Sequence, residues 1–165
     1  MKKVKSKMNI TRIILENGGD IMASPNMQSE KTFMQHRKVN CYDHSLSVAY
    51  VSVWLSNRLK LKNDFRSMIR GALLHDYFLY DWHTADKTHK LHGFIHAQIA
   101  LKNAKRDFTI NKIEADIIAK HMFPLNIRLP KYKESVIVNI ADKICAVCEI
   151  CSINLSSPML VSEIG

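Results

Sequence analysis

The sequence predicts an all-α protein, a compact helical bundle, on three observations. Apolar residues recur at helical spacing: Ile69, Ala72, Leu73 and Asp76 fall at i, i+3, i+4 and i+7, and Ile113, Ile117, Ile118 and His121 share one face. Glycine and proline are scarce, five and four in 165 residues, too few for a turn-rich β-sandwich. Helix signals sit where the periodic runs begin and end. Asn111 with Glu114 has the spacing of a capping box, with Asn in place of Ser or Thr, and Pro124 and Pro130 bracket a loop.

Taken in order, the elements are as follows. Residues 1–26 read as a basic, flexible N-terminal segment whose first seven residues are a solvated tail. A single domain spans 27–155, and 156–165 is a C-terminal tail. A short helix is expected over residues 27–37. Asn40 or Asp43 then caps a long helix to Lys60, with Leu46, Ala49, Val53 and Leu59 on its apolar face. Asn63 and Asp64 open the next helix. Residues 77–87 are aromatic and irregular, and a helix follows over 90–105. The helix from Asn111 ends near His121, and a last one covers Glu134–Asn154.

Composition narrows the function. At 47% apolar and 24% charged residues, the chain is not disordered. No apolar run approaches the roughly 18 residues of a membrane span. The stretch Ile10–Leu15 is too short for a signal sequence and is broken by Arg12, so a cytoplasmic protein that does not engage a membrane is expected. The net charge is +9, of which Lys2, Lys3, Lys5 and Lys7 supply four. The remaining excess suits a small anionic partner. Nucleic acid is a poor fit: there is no compact basic run beyond the tail, no Gly-rich phosphate loop and no zinc-finger spacing, and aromatics are only 8%. Cys145, Cys148 and Cys151 repeat every third residue, but inside an apolar helical run without Gly or Pro to form a cluster-binding loop. They read as reduced thiols of a helix flank, and Cys41 as a lone thiol.

The informative residues are polar groups inside apolar stripes. Asp76 shares a face with Ile69, Ala72 and Leu73, and Asp142 is flanked by Ile140, Ala141, Ile144 and Cys145. Burying an ionised carboxylate costs several kcal/mol unless it is paired or holds a metal. His75 adjoins the first carboxylate, His44 lies near the start of the long helix, and His121 ends an apolar face. Imidazoles and carboxylates together suit a divalent transition metal such as Fe, Mn, Zn, Co or Ni, one ion or two. Helical spacing also puts His89, His92 and His96 on one side of a helix, and spacing alone does not choose among them.

The order His44, then His75-Asp76 within ALLHD, then Asp142 within VNIADK resembles the HD-domain superfamily of metal-dependent phosphohydrolases, over residues 36–150. His92 in LHGFIHAQIA and His121 in IIAKHMFP are similar to the dinuclear branch that includes bacterial diadenosine tetraphosphate hydrolases. The resemblance implies His44, His75, Asp76 and Asp142 around one metal, and His92 and His121 on a second, with Asp76 bridging. It implies that His75 and Asp76 are catalytic and that the substrate is a small phosphorylated molecule, a nucleotide. Many members carry a lysine four residues after the doublet, where this chain has Leu79 and Tyr80. Lys143, Lys120, Arg128 and Lys131 are the cations that lie near the implied ligands in sequence and take its place as candidate substrate-binding residues. Phe78, Tyr80, Trp82, Met122 and Phe123 either stack a base or close one end of the bundle.

Two other functions fit parts of this pattern. The ligand set also resembles HD-fold di-iron oxygenases, which differ in metal and pocket. A non-catalytic nucleotide- or nucleic-acid-binding module would use the charge alone. Phosphate-ester or phosphoanhydride hydrolysis fits the basic chain better than oxygenation. The complete ligand set argues against a binding-only domain. Nothing in the sequence sets the oligomeric state.

Overall fold

The computed structural model describes residues 9–36, 39–80 and 92–151, without the side chains of His36 and of residues 92–94. The fold is all-α: the described residues form seven α-helices and one two-stranded hairpin. They are α1 (Ile10–Met22), α2 (Pro25–Ser29), α3 (Cys41–Arg58), α4 (Phe65–Leu74), α5 (His92–Asp107), α6 (Lys112–Lys120) and α7 (Lys133–Ile150). No helix among the described residues is long and apolar enough to cross a membrane.

Local chemistry sets most boundaries. Asn40 caps α3 by accepting from Asp43 N–H, and Asp64 caps α4 by accepting from Ser67 N–H. The capping box at α6 is complete: Asn111 Oδ1 accepts from Glu114 N–H at 2.9 Å, and Glu114 returns a carboxylate to Asn111 N–H at 3.0 Å. The same Glu114 binds Arg70 Nε at 2.9 Å, which ties the start of α6 to the middle of α4.

The N-terminal third differs from the expectation. Residues 10–22 form a helix whose Ile14 and Ile21 are fully buried in the core, so the chain is structured well before residue 27. Gly18 and Gly19 hide this helix from a sequence reading, because paired glycines usually end one. Gly18 instead lies flush against Leu73 and Ile69 of α4. The helix expected over 27–37 begins earlier, as α2, and stops at Ser29. Ser29 and Thr32 hydroxyls donate to carbonyls three residues back, at 2.6 and 2.7 Å. Such bonds compete with helix continuation. The chain tightens into a 3-10 turn at Glu30–Thr32, then forms the antiparallel pair β1 (Met34–His36) and β2 (Val39–Asn40).

The core joins α1, α3, α4, α6 and α7 through Leu73, Leu74, Ile117, Val138 and Ala141, among others. Gly71 lets α4 approach α6 closely, against Ile117. It brings together the C-terminal ends of both helices, and each of those ends carries a histidine.

Candidate metal centre

His75 is the C-cap of α4 and His121 the C-cap of α6. Both solve the same local problem, the unpaired carbonyls of a last helical turn. His75 Nδ1–H donates to Ala72 O at 2.7 Å, and His121 Nδ1–H donates to Ile118 O at 2.9 Å. A carbonyl only accepts, so Nδ1 carries the proton and Nε2 is left facing the bundle interior. His44 is held likewise, with Nδ1 2.9 and 3.0 Å from the two carboxylate oxygens of Glu149.

The inward nitrogens meet two carboxylates. Asp76 Oδ2 lies 3.3 Å from His75 Nε2 and 3.9 Å from His44 Nε2. Its other oxygen, Oδ1, lies 3.2 Å from His121 Nε2 and 3.3 Å from His96 Nε2. Asp142 Oδ1 lies 3.1 Å from His44 Nε2 and 3.6 Å from His75 Nε2. The ligand atoms form two triads, His44–His75–Asp142 and Asp76–His96–His121, each with its members within 4.8 Å of one another. All but Asp142, at the margin, are nearly or completely buried.

The electrostatics are those of a site built for positive charge. Burial opposes ionising His75, yet the Asp76 and Asp142 carboxylates hold its pKa well above the usual histidine range. Burial opposes the charge on His44 too, but Asp142 and Glu149 raise it to about 9. Asp76, despite a burial that works the other way, is held well below the usual carboxylate range by His75, His121 and His96. Asp142 is lowered in the same way by His44 and His75. Burial lowers the His121 pKa, against the pull of Asp76.

A divalent transition metal fits this donor set on three grounds. The donors are ring nitrogens, which a bound cation would hold in place of an Nε2 proton, and carboxylate oxygens, the chemistry such ions prefer. Two buried atoms, His75 Nε2 and Asp76 Oδ1, make no hydrogen bond. Leaving such atoms unsatisfied costs about 1–3 kcal/mol each, a cost a bound cation removes. His96 Nε2 and His121 Nε2 face each other at 2.9 Å, where only one can carry a proton and both can donate to a cation.

Of the six residues the resemblance implied, His44, His75, Asp76, His121 and Asp142 come together here. The side chain of His92 lies outside the described residues, as does all of His89. His96, left open by spacing, lies beside His121 and Asp76 among the described side chains. Of the candidate substrate-binding cations, Lys143 is the one at this site. It is half-buried, and its Nζ donates to His121 O at 3.0 Å. Lys120 pairs with Asp116 at 2.5 Å, and Arg128 and Lys131 are exposed on the loop after α6. Phe78 turns its ring edge to His96 with centroids 6.0 Å apart, and Tyr80 packs on Phe78 at 5.0 Å. Burial and the Asp76 charge raise the Tyr80 hydroxyl pKa. Trp82, His83 and the side chain of His36 are outside the described residues. Met122 and Phe123 are half-buried just beyond His121.

Three participants went unread in the sequence. Gln35 of β1 donates from Nε2 to Asp76 Oδ2 at 2.5 Å and accepts from Cys41 Sγ at 3.4 Å. Glu30 is fully buried, accepts from Leu79 N–H at 3.3 Å, and is raised to about 8 by burial and then by Asp76. Neither had a signal while residues 27–37 read as a helix. Glu149 did have one: it follows Asp142 by seven residues, two turns along the same face of α7. Cys145, Cys148 and Cys151 are free thiols running from buried to exposed along that helix.

The family model described as HD domain matches residues 41–147, more than half of the chain. No curated protein and no solved structure matches it.

Proposed function

The chain belongs to the HD-domain family, whose members are typically metal-dependent phosphohydrolases, and we propose that it hydrolyses a phosphate ester or phosphoanhydride of a nucleotide at a dinuclear centre. One observation carries the reading: the two oxygens of Asp76 face two separate histidine-containing triads. In this assignment His44, His75 and Asp142 would hold one ion, His96 and His121 would hold the other, and Asp76 would serve both. Divalent transition ions bound there would supply hydroxide near neutral pH, by lowering the pKa of water from about 15.7 toward about 7, and would withdraw charge from phosphoryl oxygens.

The protein's own residues do the rest. Helix-end carbonyls and Glu149 keep Nε2 of His75, His121 and His44 turned inward, so the site needs little rearrangement to bind. Gln35 fixes the rotation of the Asp76 carboxylate. Lys143, anchored on His121 O, has further N–H donors for a phosphoryl oxygen. Lys120, paired with Asp116, and the exposed Arg128 and Lys131 contribute to the net positive charge of the chain, which favours an anionic substrate. Tyr80, half-buried against the buried Phe78, offers aromatic surface to a base, and a dinucleotide polyphosphate is the substrate class this reading favours.

The test is hydrolysis of an aryl phosphate and of a dinucleotide polyphosphate by Mn- or Fe-loaded protein. His75→Ala and Asp76→Ala are expected to abolish phosphate release. His92→Ala, measured beside His96→Ala, separates the two candidates on α5 by which loses more activity. Unchanged activity in the His75 and Asp76 variants would overturn the assignment. Oxygen consumption by iron-loaded protein without phosphate release would overturn the reaction class.

A further inference from the structure

We propose that Glu149 is the positioning residue that commits His44 to metal binding through Nε2. The inference rests on the dinuclear reading above and assigns a role to a residue outside both triads. Asp142 and Glu149 are seven residues apart on α7, so both point at α3, where His44 occupies the first turn. The imidazole is gripped from both sides. Its Nε2 faces Asp142 Oδ1 at 3.1 Å, and its Nδ1 lies 2.9 and 3.0 Å from the two Glu149 oxygens. The ring is fully buried, and the Glu149 side chain is only 9% exposed.

The chemistry follows from what each atom can do. An ionised carboxylate only accepts hydrogen bonds, so Nδ1 must carry the proton. Nε2 then presents its lone pair on the side of His75 and Asp142. His75 and His121 receive the same instruction from backbone carbonyls of their own helices, which no substitution of a side chain removes. His44 stands in the first turn of α3, whereas the open carbonyls that His75 and His121 use belong to last turns. A side chain from another helix must supply the acceptor, and Glu149 does. A carboxylate on the far nitrogen also makes the ligating nitrogen a stronger donor than a carbonyl does, so His44 becomes the strongest imidazole ligand of its triad.

The test measures Zn(II) affinity by chelator competition in the wild type, Glu149→Gln and Glu149→Ala, with metal-free melting and far-UV circular dichroism as fold controls. Glu149→Gln keeps an acceptor for Nδ1–H and loses the charge; Glu149→Ala loses both. Affinity for the more tightly affected ion is expected to fall roughly 10- to 100-fold in Ala and by less in Gln. Long-range nitrogen–proton NMR of the wild type supplies a second measurement that needs no variant. In the Zn-loaded protein it should show His44 with Nδ1 protonated and Nε2 bound. Affinities within twofold of wild type in both variants, or an Nε2-protonated His44, would overturn the role of Glu149 while leaving the metal centre standing. A wild type that binds no Zn(II) would overturn the underlying reading instead.

Discussion

Replacing Gly71 by alanine tests whether the closeness of α4 and α6 is what assembles the centre. A Cβ at Gly71 would meet Ile117 Cδ1 at 2.5 Å, Cβ at 2.9 Å and Cγ2 at 3.0 Å. Carbon atoms pack at about 3.5–4.0 Å. The Ile117 Cδ1 can swing aside, but its Cβ is fixed to the backbone, so α6 must retreat by about half an ångström or more. Overpacking of this kind costs about 1–3 kcal/mol, against about 1 kcal/mol gained from replacing a helical glycine by alanine. The net expectation is a loss of up to about 2 kcal/mol, lowering Tm by up to about 8 °C for a chain of this size. The control is Gly19→Ala on α1, where a Cβ meets nothing within 4 Å. That variant should gain about 0.5–1 kcal/mol and melt higher than wild type. The retreat also carries His121, one turn beyond Ile117, away from Asp76, now 3.2 Å distant. Affinity for the second ion should therefore fall by about tenfold or more. Calorimetry and chelator competition on the two variants read both effects. Gly71→Ala melting at or above wild type would refute the packing argument.

Other expectations follow from single contacts. Asn111→Ala removes the acceptor for Ile113 and Glu114 N–H and leaves the capping box broken, so it should cost about 1 kcal/mol in chemical denaturation. Glu30 gives a pH signature. Its pKa rises from 4.5 to about 8 on folding, so between these values the folded state holds a proton that the unfolded state releases. Stability from this group is therefore full below about 4.5 and lost as pH rises toward 8. Glu30→Gln keeps the acceptor for Leu79 N–H without that proton. In the metal-free state its stability relative to wild type should grow by about 1 kcal/mol per pH unit across the window. Parallel urea denaturation at pH 5 and pH 7.5 checks this, and an unchanged difference would contradict it.

The sequence was most legible where one element carried its own signal. Asn40, Asp64 and the Asn111–Glu114 box mark helix starts that the structure reproduces, because a cap is a contact within four residues. The HD doublet and Asp142 stood out because charged residues inside apolar stripes need a partner, whatever the tertiary arrangement. What could not be read depends on contacts between distant segments. Gly18 belongs in a helix only because Leu73 packs on it. Gln35 reaches Asp76 only because Ser29 and Thr32 turn the chain into a hairpin. His96 stands by His121 through the packing of α5 on α6, a relation that helical spacing leaves open.

Elemental analysis of the purified protein tests the central claim most directly. Two divalent transition-metal ions per chain are expected in the wild type, falling to one in His96→Ala and to fewer than two in Asp76→Ala. A wild type that retains no transition metal after incubation with Mn, Fe or Zn would contradict the metal centre itself.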